Sequence, residues 1–354
     1  MQTSRRTFIV SSAAGLLSLR QMQAATPLSR RWAELAPIPD ARGVAGAFAG
    51  TDQNALLVAG GANFPDKMPW EGGTKVWHDQ VYRLSSPEAE WQRVGKLPQP
   101  MGYGVSISTD QGVACLGGCD TAKHVAHCFL LQYRNDEIKT IALPPLPSPC
   151  AYSCGVQIGS VIYVAGGTAD PTATTAMKNF WSLDLQRPED GWKTLAPWPG
   201  PERMLAVAAS VGGDFFLAGG TSIAPGLDGK PVRTYLRDVW KYSPTAGWSR
   251  CADLPRPSVA APTPAPHSSD GFLILGGDDG TLVNFSPPQN HPGFPKSILE
   301  YSVSADRWTD ARDLPASHVT TPTVKWNGCF VIPSGELRPG IRSPSVWALT
   351  LQPE

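Results

Sequence analysis

Six short apolar stretches, each running into a glycine turn, recur along this chain. The first five include Leu56-Leu57-Val58-Ala59-Gly60-Gly61 and its counterparts at residues 114–118, 163–167, 215–220 and 273–277. The sixth reads Phe330-Val331-Ile332-Pro333-Ser334-Gly335-Glu336, ending in Ser-Gly-Glu where the others carry a glycine pair. The second glycines lie 57, 49, 53, 57 and 58 residues apart. A repeat of this period marks structural units that bury their apolar faces only against their neighbours. A loop of variable length follows each glycine turn, and then a strand such as Asp79-Gln80-Val81-Tyr82-Arg83-Leu84 or Asp238-Val239-Trp240-Lys241-Tyr242. Next comes a tryptophan (Trp91, Trp192, Trp248 or Trp308) leading into a Leu/Ala-Pro segment, and then a strand of small apolar residues. Each unit therefore predicts four strands, with tryptophan packing between units and glycines where backbones crowd. The second unit has residues 138–143 in place of its tryptophan strand and is a degenerate copy. No amphipathic helical period persists beyond the first 25 residues, so the fold class is all-β.

These landmarks resemble those of kelch-type propellers over about residues 30–352, which implies a six-bladed β-propeller. The chain ends on Val346-Trp347-Ala348-Leu349-Thr350, which reads as a third strand, and Arg31-Trp32-Ala33-Glu34-Leu35-Ala36-Pro37 reads as a fourth. The N-terminal strand is thus expected to complete the last blade, closing the ring and removing the edges of an open array. In that strand order the loops after the glycine turns and those after the tryptophan strands share one face. The long loops 62–78, 168–180, 221–236 and 278–297 converge there, and a site is expected on that face.

Ahead of the repeats, Ser4-Arg5-Arg6-Thr7-Phe8 precedes the short apolar run 9–19, a pattern that resembles a twin-arginine export signal. Residues 1–25 are read as that signal, with export to the bacterial periplasm, and residues 26–354 as one propeller. The run is too short and too rich in small residues for a spanning helix, so no stable membrane association is expected. Thirty basic and thirty acidic residues cancel, and no basic stripe occurs, so nucleic acid is not an expected partner. Seven cysteines fit no disulfide framework; one bridge could form among Cys115, Cys119, Cys150 and Cys154.

The segment Gly335-Glu336-Leu337-Arg338-Pro339-Gly340-Ile341-Arg342 is similar to one in the bacterial sialic acid mutarotases, or N-acetylneuraminate epimerases. Two further stretches resemble the same family: residues 36–62, with Gly43-Val44-Ala45-Gly46-Ala47-Phe48-Ala49-Gly50, and Tyr103-Gly104-Val105-Ser106. In that family the first segment precedes the other two, whereas here it comes last, so the chain resembles a circularly permuted relative. The resemblance implies anomer exchange of a 2-keto sugar acid, with Glu336 as catalytic carboxylate and Arg342 as its partner, and no cofactor or metal. That chemistry needs a proton taken from the anomeric hydroxyl and one given to the ring oxygen, which a carboxyl group can serve in turn. The substrate's own carboxylate suits the planar fork of an arginine. Arg203, Tyr103, Arg42 and His318 lie in loops of the same face and are candidate substrate-binding residues. The loops 63–77 and 278–295 do not match the mutarotases closely, which leaves the sugar acid open.

Two other chemistries are weighed and set aside. Cys119, His124, His127 and Cys128 form a Cys/His cluster, but His124 and His127 stand three apart in an expected strand and point to opposite faces. The glycine pairs are followed by no helix and match no nucleotide-binding motif. A galactose-oxidase-like copper set does not assemble on the loop face. The alternative from another class is a non-catalytic kelch module that binds a carbohydrate or a protein.

Overall fold

The computed structural model describes residues 28–227, 229–311 and 314–353; the expected export signal at residues 1–25 lies outside them. Alternating apolar positions and glycine turns produce six antiparallel sheets arranged as propeller blades. Blade 1 runs Phe48–Asp52, Ala55–Ala59, Gln80–Leu84 and Gln92–Lys96 from its innermost strand outward. Blades 2, 3 and 4 repeat this order from Val105–Thr109, Cys154–Ile158 and Val207–Val211. Blade 6 is assembled from both parts of the chain. Val324–Trp326, Cys329–Pro333 and Val346–Pro353 are joined by Leu28–Leu35 on the outside. Trp32 pairs Leu349 and Leu35 pairs Val346, so the expected strand closes the ring.

Blade 5 departs from the expected four strands. Gly271–Leu275, Ile298–Ser302 and Arg307–Ala311 form a three-stranded sheet, and no regular inner strand precedes them. The reason is chemical: Pro262, Pro264 and Pro266 occupy alternate positions and lack the N–H groups a ladder needs. The segment is still held at isolated points, with Ala265 N–H donating to Ala208 O at 2.8 Å and Leu273 N–H to Pro266 O at 2.8 Å.

The tryptophans join one blade to the previous one through their indole N–H groups. Trp91 donates to Ala36 O at 2.7 Å, Trp192 to Pro144 O at 2.9 Å, Trp248 to Ala196 O at 2.8 Å and Trp308 to Ala252 O at 2.9 Å. Each acceptor sits in the Leu/Ala-Pro segment of the preceding blade, which explains why the two landmarks recur together. Blade 2, lacking its tryptophan, packs Ile138 into the space left by Gly95 of blade 1. Trp91→Phe keeps an aromatic ring against the core between blades but leaves the Ala36 carbonyl without its donor. A loss of about 1–2 kcal/mol is expected in urea titration, and an unchanged midpoint would rule out a stapling role.

All seven cysteines are free thiols. Burial pushes Cys128, Cys150 and Cys154 up to about 12, leaving them protonated at neutral pH. Among the described residues, no helix is long and apolar enough to cross a membrane.

Candidate functional site

On the face where the long loops emerge, six equivalent bridges tie each blade's incoming segment to the residue after its glycine turn. The pairs are Ala45 with Ala62, Gly102 with Cys119, Ala151 with Thr168, Met204 with Thr221, Val259 with Asp278 and Val319 with Glu336. Glu336 therefore stands at the position held elsewhere by alanine, cysteine, two threonines and an aspartate. The residue after each incoming bridge partner adopts a left-handed backbone: Gly46, Tyr103, Tyr152, Leu205, Ala260 and Thr320, with φ between 55° and 69°. These six are joined head to tail. Tyr103 N–H donates to Gly46 O, Tyr152 to Tyr103, Leu205 to Tyr152, Ala260 to Leu205, Thr320 to Ala260, and Gly46 to Thr320, at 2.6 to 2.8 Å. This closed circle of backbone hydrogen bonds surrounds the axis and forms the floor of the site.

The sixth blade builds its own feature above that floor. Glu336–Arg338 and Ile341–Arg342 form a short hairpin in which Glu336 lies directly opposite Arg342. The six-residue spacing is thus a cross-strand pairing, with Pro339-Gly340 at the turn and Gly340 at φ 84°. Ser334, the residue that replaces the first glycine, is fully buried and holds the hairpin base. Its hydroxyl accepts from Val44 N–H at 2.8 Å and lies 2.9 Å from Val44 O and 2.7 Å from Ser343 O. Those contacts compensate for the left-handed φ of 64° at a non-glycine residue.

Glu336 is held by its neighbours but not used up by them. Oε1 accepts Gly340 N–H at 2.7 Å, and Oε2 stands 3.6 Å from Arg342 Nη2. The Arg342 side chain is only 6% exposed and stacks over the Phe64 ring at 4.9 Å, yet its Nε and Nη1 lack hydrogen-bond partners. The Tyr103 hydroxyl lies beside the same guanidinium, also buried and without a well-formed hydrogen bond. Burial raises the Tyr103 pKa well above that of an ordinary phenol, so the hydroxyl stays protonated and can donate.

A residue the sequence reading passed over completes the cluster. Lys75 Nζ sits 4.0 Å from the centre of the Tyr103 ring and 4.6 Å from that of Trp77. Burial, and secondarily the Arg342 charge, lowers its pKa to about 8. Lys75 also lines a cleft of about 360 Å³ whose walls include Trp77, His124, Tyr152, Asp170 and Arg233. The only advance signal was its position in a glycine-rich post-turn loop, Gly72-Gly73-Thr74-Lys75.

The remaining candidates are placed elsewhere. Arg203 is 0% exposed and its guanidinium is occupied within blade 4. Nη2 pairs Asp238 Oδ2 at 2.5 Å and Nη1 donates to Gly219 O at 2.9 Å. His318 occupies the equivalent position in blade 6, one residue before the bridge to Glu336, and is 2% exposed. Burial lowers its pKa to about 4, so it is neutral at physiological pH, and neither ring nitrogen has a partner. Both side chains turn into their blades, because the residue after the bridge, not the one before it, faces the axis. Arg42 is exposed on a surface turn, where its own N–H donates to Asp40 Oδ1 at 2.9 Å. Of the six sequence candidates, the structure brings Glu336, Arg342 and Tyr103 together. His124 and His127, expected within a strand, precede it: His124 is buried with Nδ1 3.0 Å from Thr168 O, while His127 is exposed.

Comparison with known proteins covers the first part of the chain. The N-acetylneuraminate epimerase family model matches residues 17–140. Among curated proteins, the N-acetylneuraminate epimerase of Yersinia pestis (strain Pestoides F) is 46% identical over 85 residues, covering 22% of this chain and 21% of that protein. Its counterpart in Salmonella arizonae is 45% identical over 85 residues, covering 22% of each. The chain thus spans about a fifth of the length of the curated relatives it matches. The family match takes in Lys75, Trp77, Tyr103 and Cys119 and spans the 63–77 loop. It ends well before the Glu336–Arg342 hairpin.

Proposed function

We propose that this protein is a mutarotase that interconverts the α and β anomers of N-acetylneuraminate or a related 2-keto sugar acid. The observation that carries this reading is the cross-strand pair of Glu336 and Arg342, set over the floor beside Tyr103. The partial match to N-acetylneuraminate epimerases, and the names of the relatives, support the same substrate class.

In this mechanism Glu336 takes the proton from the anomeric hydroxyl through Oε2, while the Gly340 N–H fixes Oε1 and hence the carboxylate plane. The bond from C2 to the ring oxygen breaks, its electron pair leaves with that oxygen, and the oxygen takes up the proton held by the Glu336 carboxyl group. The C2 carbonyl turns about the adjacent bond, and the ring recloses on the other carbonyl face. As it does so, the attacking hydroxyl gives its proton to the Glu336 carboxylate, which passes it to the carbonyl oxygen as that becomes the anomeric hydroxyl. One carboxyl group acting as base and then acid contributes ~10²–10⁴-fold. Arg342, with two unpaired N–H groups, binds the carboxylate that any such substrate carries.

Two further parts of the reading rest on the chain order. The Glu336 hairpin follows the segment resembling the epimerases, so the protein is a circular permutant of that architecture. A ring tolerates this because a break between any two blades leaves the core in place. Arg5-Arg6 and the apolar run after them direct the folded protein to the periplasm.

The test is proton NMR of freshly released α-N-acetylneuraminate with and without protein. Faster appearance of the β anomer is the expected result. Exchange at the spontaneous rate across several sugar acids would overturn the proposal in favour of a non-catalytic binding module.

A further inference from the structure

We infer that Lys75 and Arg342 form a two-point clamp for the carboxylate of the substrate, and that Lys75 makes the site select an acid over a neutral sugar. The inference rests on the mutarotase reading for the identity of the sugar, but not for the clamp itself.

The two cations come from opposite ends of the chain and meet because the ring closes. Lys75 is fixed by the short strand beside it, where Ala62 pairs Trp77 and Asn63 pairs Val76. Its loop interlocks with the blade 6 hairpin: the face of Gly340 packs against Pro69 and Trp70, leaving about 3.1 Å for any added methyl carbon. Lys75 and Arg342 are therefore held near one another by the backbone of two loops, not by a shared anion. Among the described residues, Lys75 Nζ has no hydrogen bond or ion pair, and two aromatic faces orient it without neutralising it.

Within the immediate cluster the charges do not balance until a ligand is bound. Lys75 and Arg342 are two cations against the single carboxylate of Glu336, leaving room for one monoanion. The acids in the adjoining cleft are committed to their own turns. Asp120 accepts the N–H groups of Ala122 and Lys123, both at 2.8 Å, and Asp170 accepts the N–H and hydroxyl of Thr172 at 2.6 and 2.7 Å. The groups set around Lys75 are Tyr103, Cys119, Glu336 and Arg342, with Asp120, His124, Asp170 and Arg233 along the cleft. Tyr103 and Cys119 have raised pKa values, and His124 a lowered one, chiefly by burial. Lys75 is thus the group expected to change charge between pH 7 and 9. A bound carboxylate favours its charged form, so binding takes up a proton above pH 8 and none near pH 6.

The experiment uses the full-length protein and 2-deoxy-2,3-didehydro-N-acetylneuraminate, an acid that cannot mutarotate, together with its methyl ester. Calorimetry is run at pH 6.5 and pH 9 in buffers of different ionisation enthalpy. Wild type is expected to prefer the acid and to take up a proton at pH 9 only. Lys75→Met is expected to weaken acid binding by roughly 10–100-fold, to reduce the preference for the acid, to lose the proton uptake, and to carry its kinetic loss in KM more than in kcat. Lys75→Arg should restore most of the acid preference without the proton uptake. Equal binding of acid and ester by wild type, or unchanged acid affinity in Lys75→Met, overturns the clamp. Acid binding through Lys75 without any acceleration of anomer exchange supports the clamp and removes the mutarotase reading. Acceleration with a Lys75→Met KM equal to that of wild type does the reverse.

Discussion

Glu336→Gln is expected to slow anomer exchange by ~10²–10⁴-fold, bringing it close to the spontaneous rate, while the protein stays folded and keeps its affinity for the sugar acid. The substitution is nearly isosteric. The amide oxygen can still accept Gly340 N–H, so the hairpin turn survives. The contact with Arg342 is a 3.6 Å ion pair and not a hydrogen bond, so the stability cost is confined to the buried Arg342 charge that loses its counter-ion. What disappears is the ability to hold and return a proton. The measurement is the NMR exchange rate of wild type and variant at equal concentration, with melting temperature as the control for folding. A variant that exchanges anomers at the wild-type rate would remove Glu336 from the mechanism.

Arg203→Met is expected to cost about 3–5 kcal/mol of folding stability, because it removes one partner of a buried pair and strands the other. Asp238 Oδ2 receives both Arg203 Nη2 and the Trp240 indole N–H at 2.5 Å, and the Gly219 carbonyl takes Nη1. Methionine fills much of the volume but satisfies none of these groups. Denaturant unfolding should show the loss directly, and the folded fraction should bind the sugar acid with unchanged affinity. A stable variant with a raised KM would instead return Arg203 to the role of substrate anchor that its loop position suggested.

Arg203 also shows where sequence reading stops. The glycine turns, the tryptophans and the N-terminal strand were legible because each makes a local backbone or packing demand that repeats. Blade 5 lacks its inner strand because three alternate prolines remove ladder donors, a local exception that the repeat itself does not announce. Arg203 and His318 sit in loops of the long-loop face, yet their side chains turn into the blades. Direction there depends on which residue takes the left-handed backbone, and the succession Gly46, Tyr103, Tyr152, Leu205, Ala260, Thr320 becomes a pattern only when the six bridges are aligned. Lys75 was illegible for another reason. Its partner Arg342 lies at the far end of the chain, and only ring closure sets the two side by side.

The circle of six backbone hydrogen bonds has an electrostatic consequence. All six run in the same rotational sense, so their dipoles lie along the circumference and largely cancel around the axis. The floor therefore projects almost no field into the mouth of the propeller, unlike a helix end, which presents a fixed partial charge. Whether the mouth attracts an anion or a cation is left to the few side chains standing on its rim. A fold of this kind can reverse its preference for ligand charge by changing two or three residues, without disturbing a blade.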